Sequence, residues 1–284
     1  MYGVSAQVND VEVVKEPLDL ISGKFELRPE AINKRLSEDP TIKLVYICSP
    51  GNPTAGTVDP AAVRKVLAHP TWNGVIVIDE AYIDFASEGS SLAPWVVDYP
   101  NLVVMQTLSK AFGLAGIRLG AAFTSPEIAQ LLNNLKAPYS ISSPTSSLAI
   151  AALSPAGLAV KNENVRRLLA QRDKLLSKLP ELPGIGRFRG GFDSNFLLVE
   201  ILDKNAVPNS DVAKKVYEEL AEEHRVVVRY RGGEAGCTGC LRITVGTEGE
   251  VDRLLEKLRE VLKAVRGNRY IGTASEVFLK ADCS

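Results

Sequence analysis

The 284-residue chain is poor in cysteine, histidine, methionine and tryptophan, with four, two, two and two of each. Four cysteines in a chain this long exclude a disulfide scaffold. Only His69 and His224 stand beside Cys237-Thr-Gly-Cys240, the single close cysteine pair, so a metal centre is short of ligands. That pair reads better as two small residues in a glycine-rich turn than as a metal or redox motif, and no metal is expected. An excess of charge of one sign is also missing: 33 basic and 34 acidic side chains are mixed along the chain, for a net charge of -1. This excludes the electrostatic footprint of a nucleic-acid binder and favours small-molecule or protein partners. No apolar run approaches the roughly 18 residues of a membrane span, and MYGVSAQVNDVEVVKE lacks the regions of a signal peptide. A soluble, cytoplasmic protein without a membrane partner is expected.

What is present is a globular composition, 45% hydrophobic and 24% charged, enough for one large domain or two smaller ones. Short β-branched runs recur at Leu44 to Cys48, Val75 to Asp79, Leu102 to Thr107 and Leu119 to Thr124, and each reads as a buried strand. Between the first two, Asp59-Pro60 opens AAVRKVLAHP with a helix-start signal, so the unit is strand, helix, strand. The expected fold is α/β, with a mainly parallel sheet covered on both faces. Helical stretches follow in EIAQLLNNLKA, SSLAIAAL and NENVRRLLAQRDKLLSKL. From about Arg187 the order becomes FLLVEIL strand, SDVAKKVYEELAEEH helix, VVVRY and LRITVG strands, then a terminal helix. This predicts a large domain over 1–160, a smaller α+β domain over 161–266 and a tail over 267–284.

Ligands of open α/β sheets bind outside the carboxyl ends of the strands, and several polar residues fall there. Strand VIVI runs into Asp79, a carboxylate that needs a cation or strong donor opposite if partly buried. The alternative is a helix cap or structural hydrogen bond. Strand LVVMQT runs into Leu108-Ser109-Lys110, where a partly desolvated amine with a lowered pKa suits a Schiff-base nucleophile; the plainer reading is a surface charge. Arg118, between Gly116 and Gly120, can fork onto phosphate. After LVYIC comes Ser49-Pro50-Gly51-Asn52-Pro53-Thr54-Ala55-Gly56, where Asn52 either donates to a ring oxygen or shapes the turn.

Jointly, a lysine, a carboxylate, an asparagine and an arginine at successive strand ends meet the demands of pyridoxal 5′-phosphate. The strings SPGNPT, VIDEAYIDF, TLSKAFGLAGIRLG and GCLRITVGT resemble those of histidinol-phosphate aminotransferases, within the fold-type I aminotransferases, over residues 1 to 265. The resemblance implies that Lys110 binds the cofactor covalently and Asp79 partners its pyridine nitrogen. It places Tyr82 and Asn52 at the ring oxygen and Thr107, Ser109 and Arg118 around the cofactor phosphate. On the substrate side it implies Arg242 for the α-carboxylate of glutamate and Arg229 for the substrate phosphate, with Arg231 close enough to confuse the second role.

The implied reaction moves an amino group between histidinol phosphate and 2-oxoglutarate, giving imidazole-acetol phosphate and glutamate, in histidine biosynthesis. A homodimer is implied for the full-length form. Two departures accompany the likeness. NPTAG stands where the family has NPTG, so the turn after Asn52 is expected to carry one extra residue. Relative to the family, the chain opens just after the aromatic that stacks on the cofactor, so an N-terminal strand, helix and phosphate-binding turn are expected to be missing, exposing sheet edge. An inactive fragment and another fold-type I enzyme, such as a phosphothreonine decarboxylase-like or aromatic aminotransferase, stay open as alternatives.

Overall fold

The computed structural model describes residues 2–20 and 23–267, so the expected tail lies outside the described residues beyond Gly267. The chain begins with helix α1 (Tyr2–Val8), then α2 (Pro29–Glu38), β1 (Leu44–Cys48), α3 (Pro60–Leu67), β2 (Val75–Asp79), β3 (Leu102–Thr107) and β4 (Gly120–Phe123). The four strands form one sheet in the order β1-β2-β3-β4, the first three parallel. Helix α3 starts where Asp59 accepts from the Ala61 amide at 2.9 Å and Pro60 sets the first turn, and it buries Ala62, Val63 and Val66. With Ile32 and Leu36 of α2, Val63 and Val66 pack on Ile47, Ile76, Ile78, Leu102 and Val104 of the sheet.

The sheet is mainly parallel, as expected, with one antiparallel edge: strand β4 runs against β3, with Thr107 opposite Gly120. The segment between them holds turns and a short 3-10 turn rather than a crossover helix, so the chain doubles back instead of crossing over. The cover expected on both faces needs correction: on the second face Val77 and Val103 are buried, but Leu44 and Tyr46 of β1 are about half exposed, and all of β4 is exposed.

Helices α4 (Pro126–Asn134), α5 (Ser143–Leu153) and α6 (Pro155–Lys178) lead to the second sheet. It comprises β5 (Ile185–Arg189), β6 (Phe196–Ile201), β7 (Arg229–Tyr230) and β8 (Cys240–Thr244), antiparallel in the order β5-β6-β8-β7. Helices α7 (Ser210–Glu222) and α8 (Glu248–Gly267) cover it, burying Val216, Leu220, Leu258 and Val261 completely or nearly so. Each such side chain contributes about 1.5–3 kcal/mol of apolar burial. The expected boundary at 160/161 falls inside α6, a continuous helix of 24 residues. Its Val165 packs with Phe85 and Ala111 beside the first sheet, while its Leu175 joins the core of the second.

Candidate active site

Strand register aligns the ends that matter: Cys48 pairs with Asp79 and Asp79 with Met105, so the segments after β1, β2 and β3 emerge side by side. Asp79 is half-buried. Its Oδ1 accepts from the Ala81 amide at 3.0 Å and its Oδ2 accepts from the Tyr2 hydroxyl. The group expected opposite this carboxylate as a cation or donor is therefore a phenol, carried by α1 and stacked on Tyr46 with ring centroids 4.6 Å apart. Burial, then the bond to Asp79 and its charge, hold the Tyr2 phenol well above its ordinary pKa, so it stays protonated and keeps donating.

Lys110 follows β3 on a turn closed by the Gly113 amide on its carbonyl. The desolvation expected of its amine is absent: the residue is exposed, with Nζ 5.3 Å from the centre of the Tyr82 ring. Tyr82 meets Phe196 edge to face at 5.1 Å, and Phe196, 1% exposed, also carries the Arg242 guanidinium 5.0 Å from its ring centre. Arg242 Nη1 donates to Asn52 Oδ1 at 2.8 Å. Lysine, tyrosine, asparagine and arginine from four separate segments thus converge around one buried phenylalanine.

Burial first, and then the charge of Arg231, lower the Arg242 pKa, yet a guanidinium remains cationic at any pH the protein meets. Its Nε is buried without a partner, a donor in want of an acceptor. A guanidinium with donors to spare suits a carboxylate. Arg229 sits directly across from Arg242 on β7 but is exposed.

Thr107 Oγ1 and Ser109 Oγ are 2.9 Å apart, and the Ser109 amide donates to Thr107 Oγ1 at 3.1 Å, giving a compact pair of hydroxyls at the end of β3. Arg118 is joined to them only through backbone: Thr107 Oγ1 and the Leu108 amide both reach the Leu119 carbonyl. Its own Nη1 turns back to the Ala115 carbonyl at 2.8 Å from a left-handed backbone, φ +53°. The structure brings Thr107 and Ser109 together and leaves Arg118 exposed beside them.

The NPTAG segment forms a closed loop. Ala55, fully buried at φ +57°, donates to the Gly51 carbonyl at 2.8 Å, and Gly51 donates to Gly56 at 3.0 Å. This loop is tied to the second sheet. Asp193 Oδ2 accepts from both the amide and the hydroxyl of Thr57 at 2.9 Å, and the Gly191 and Asp193 amides donate to Thr54 and Ala55. Gly190 and Gly191 permit the approach, since a Cβ at either would fall 1.9 Å from the Thr54 carbonyl oxygen or 2.4 Å from Gly56 Cα. Sequence reading missed Tyr2, Asp193 and Phe196. Only Phe196 carried a signal, as an aromatic opening a strand.

Among the described residues no group of three or more His, Cys, Asp and Glu is placed to hold a metal ion, and no single helix is long and apolar enough to cross a membrane. Residues 1–258 match the family model for aminotransferase class I and II. The histidinol-phosphate aminotransferase of Schizosaccharomyces pombe is 49% identical over 265 residues, covering 93% of this chain and 68% of that protein. The enzyme of the same name from Candida maltosa is 48% identical over 267 residues, with 93% and 68% covered. Among solved structures, histidinol-phosphate aminotransferase from Sinorhizobium meliloti in complex with pyridoxal-5′-phosphate superposes with a TM-score of 0.79 at 24% identity. It covers 93% of this chain and 68% of that one, and shows the shared fold. With the family model spanning nearly all of its length, this chain belongs to the aminotransferase class I and II family.

Proposed function

We propose that this chain transfers an amino group between histidinol phosphate and 2-oxoglutarate, giving imidazole-acetol phosphate and glutamate, with pyridoxal 5′-phosphate as cofactor. One observation carries the reading: Arg242 of the second sheet bonds Asn52 of the first at 2.8 Å, within the cluster that holds Tyr82 and Lys110. A carboxylate-binding fork thereby stands next to residues suited to the cofactor. The two relatives at 48% and 49% identity, both named histidinol-phosphate aminotransferase, support the choice of substrate.

The residues fit the cofactor on chemical grounds. Asp79, an acceptor oriented by Ala81 and Tyr2, would hold a protonated ring nitrogen. Asn52 and Tyr82 would bond the ring oxygen, the paired hydroxyls of Thr107 and Ser109 with Arg118 would take the phosphate, and the exposed amine of Lys110 is free to react with an aldehyde. Bound there, pyridoxal phosphate supplies an electron sink for the pair left at the substrate α-carbon. Lys110 moves the proton at that carbon. Arg242 binds the α-carboxylate of glutamate through guanidinium donors that Asn52 does not take, and Arg229 faces the same strand position for the substrate phosphate. In this reading residues 1–160 form the cofactor side and 161–266 the substrate side of a cytoplasmic enzyme that is a homodimer at full length.

The test is a donor panel with 2-oxoglutarate as acceptor, run on the chain supplied with pyridoxal phosphate. Histidinol phosphate should be the preferred donor, and visible absorbance of the bound cofactor should be lost in Lys110→Ala. Preference for aromatic amino acids, or release of carbon dioxide from phosphothreonine, would overturn the substrate assignment.

A further inference from the structure

Spacing alone makes Cys237 and Cys240 two small residues of a glycine-rich turn, and the structure adds that their side chains share one buried site. The Cys240 amide donates to the Cys237 carbonyl at 2.9 Å, closing a four-residue turn. Such a turn holds its end Cα atoms within about 7 Å, the range that a disulfide spans. Gly239 permits it: its φ is +68°, and a Cβ there would fall 2.6 Å from the Asn209 amide nitrogen. Cys240 Sγ folds back over the turn, 3.7 Å from the Thr238 carbonyl oxygen. Both cysteines are free thiols, buried in one small cluster with Leu198 and covered by Phe25. The cluster lies on the face of the second sheet that carries Arg242. Leu198 pairs with Arg242 and Glu200 with Cys240, while Leu241 and Ile243 enter the core on the other side. Cys237 also lines a cavity of about 520 Å³ together with Cys48, Asn52 and Thr54.

We propose that Cys237 and Cys240 form a redox-active dithiol, which hydrogen peroxide converts to a disulfide and a small dithiol reductant restores. Cys237 is the attacking thiol, because it lines the cavity and peroxide is little larger than water. A hydrogen bond from the Cys240 thiol, aided by the charges of Arg189 and Arg231, holds Cys237 below the ordinary thiol range against burial and Glu234. The same bond and burial push Cys240 up, so it waits as the resolving thiol. In the first step the Cys237 sulfur bonds one peroxide oxygen as the O–O bond breaks. The departing hydroxide takes up the Cys237 proton as water and leaves a sulfenic acid. The Cys240 sulfur then displaces the hydroxyl from that sulfur. An S–S bond forms, the S–O bond breaks, and the Cys240 proton leaves in a second water. Each sulfur gives up one electron and peroxide gains two. The new bond closes the turn at the head of β8, two residues before Arg242.

The experiment treats the native chain with stoichiometric hydrogen peroxide, quenches it in acid, alkylates free thiols in denaturant and maps the peptides by mass. The peptide carrying Cys237 and Cys240 should lose both alkylation sites together and become lighter by two hydrogens, and dithiothreitol should return both. Cys48 is the internal control, since it lines the same cavity with its thiol pushed up to about 11. Cys237 should oxidise at least about ten-fold faster than Cys48 at neutral pH, from the difference in thiolate fraction. Cys240→Ala, which keeps an apolar side chain beside Leu198, should stop at a sulfenic acid on Cys237 that dimedone traps. Cys237→Ala should leave Cys240 alkylatable. The wild-type map decides by itself if either variant fails to fold. Earlier oxidation of Cys48, a disulfide to any other cysteine, or a pair that reacts only after unfolding in urea would overturn the proposal.

Discussion

Asn52 and Arg242 lie 190 positions apart in the chain and are joined at 2.8 Å, Oδ1 accepting from Nη1. The bond sets a carboxylate-binding cation against the loop that follows β1, so two sheets with separate cores share one polar seam.

Replacing Arg242 by glutamine removes the fork while keeping a donor for Asn52. A hydrogen bond to a charged group is worth about 1.5–3 kcal/mol, so kcat/KM for glutamate should fall roughly ten- to a hundred-fold, chiefly through KM. Arg242→Lys should recover little of it, because an ammonium lacks the planar pair of donors. Steady-state kinetics against glutamate concentration check this.

Lys110→Ala should lower transamination by at least the 10²- to 10⁴-fold typical of a lost general acid or base. Borohydride treatment of the wild-type chain with pyridoxal phosphate, followed by peptide mass analysis, should place the added mass on Lys110. Labelling spread over surface lysines would remove its special role.

Asp193→Ala severs both bonds to Thr57 at the waist between the sheets. The variant should lose about 1–3 kcal/mol of stability, since the Thr57 amide and hydroxyl are left part-buried without an acceptor. Glutamate binding should weaken with it as the loop carrying Asn52 loosens. A thermal melt together with glutamate affinity tests both parts; a lower melting temperature with unchanged affinity would restrict Asp193 to stability.

Burial, reinforced by the charge of Asp79, pushes the Cys48 thiol up from 9.0 to about 11. A raised value in the folded state means that the stabilisation is complete below 9.0 and drains away as pH climbs toward about 11. The Tyr2 phenol is shifted in the same direction by burial and Asp79, which adds to alkaline weakening. Urea midpoints should therefore drop between about pH 9 and 11, less steeply in Cys48→Ala. Equal slopes in both proteins would show that the thiol plays no part.

The β1, β2 and β3 runs were legible because β-branched stretches bounded by turns leave few alternatives, and the residues at their ends followed from sheet geometry. Helix α2 went unread although PEAINKRLSE has proline in its first turn and Ile32 and Leu36 four apart on one face. Its apolar pair is too sparse to stand out until the sheet it covers is known. The direction of β4 was hidden because a run of apolar residues says nothing of which way its partner points. Asp79 was expected to find a donor but not Tyr2, since that pairing depends on where α1 lands. Likewise Asp193 looked like an ordinary polar residue in a glycine-rich turn, and only the approach of Gly190 and Gly191 to the Asn52 loop gives it a task.

Helix α6 also fixes how the two sheets can move. At 1.5 Å per residue, its 24 residues make a rod about 36 Å long. Its middle, at Val165 and Leu168, packs with Tyr82 and Phe112, and its C-terminal part, at Leu175, joins the core beneath β6. From Val165 to Leu175 the rod runs about 15 Å, so a 10° tilt about the first contact would move the second by roughly 3 Å. At the other crossing Gly190 and Gly191 lie against the Asn52 loop, so any tilt of the rod is transmitted directly to the bond between Asn52 and Arg242.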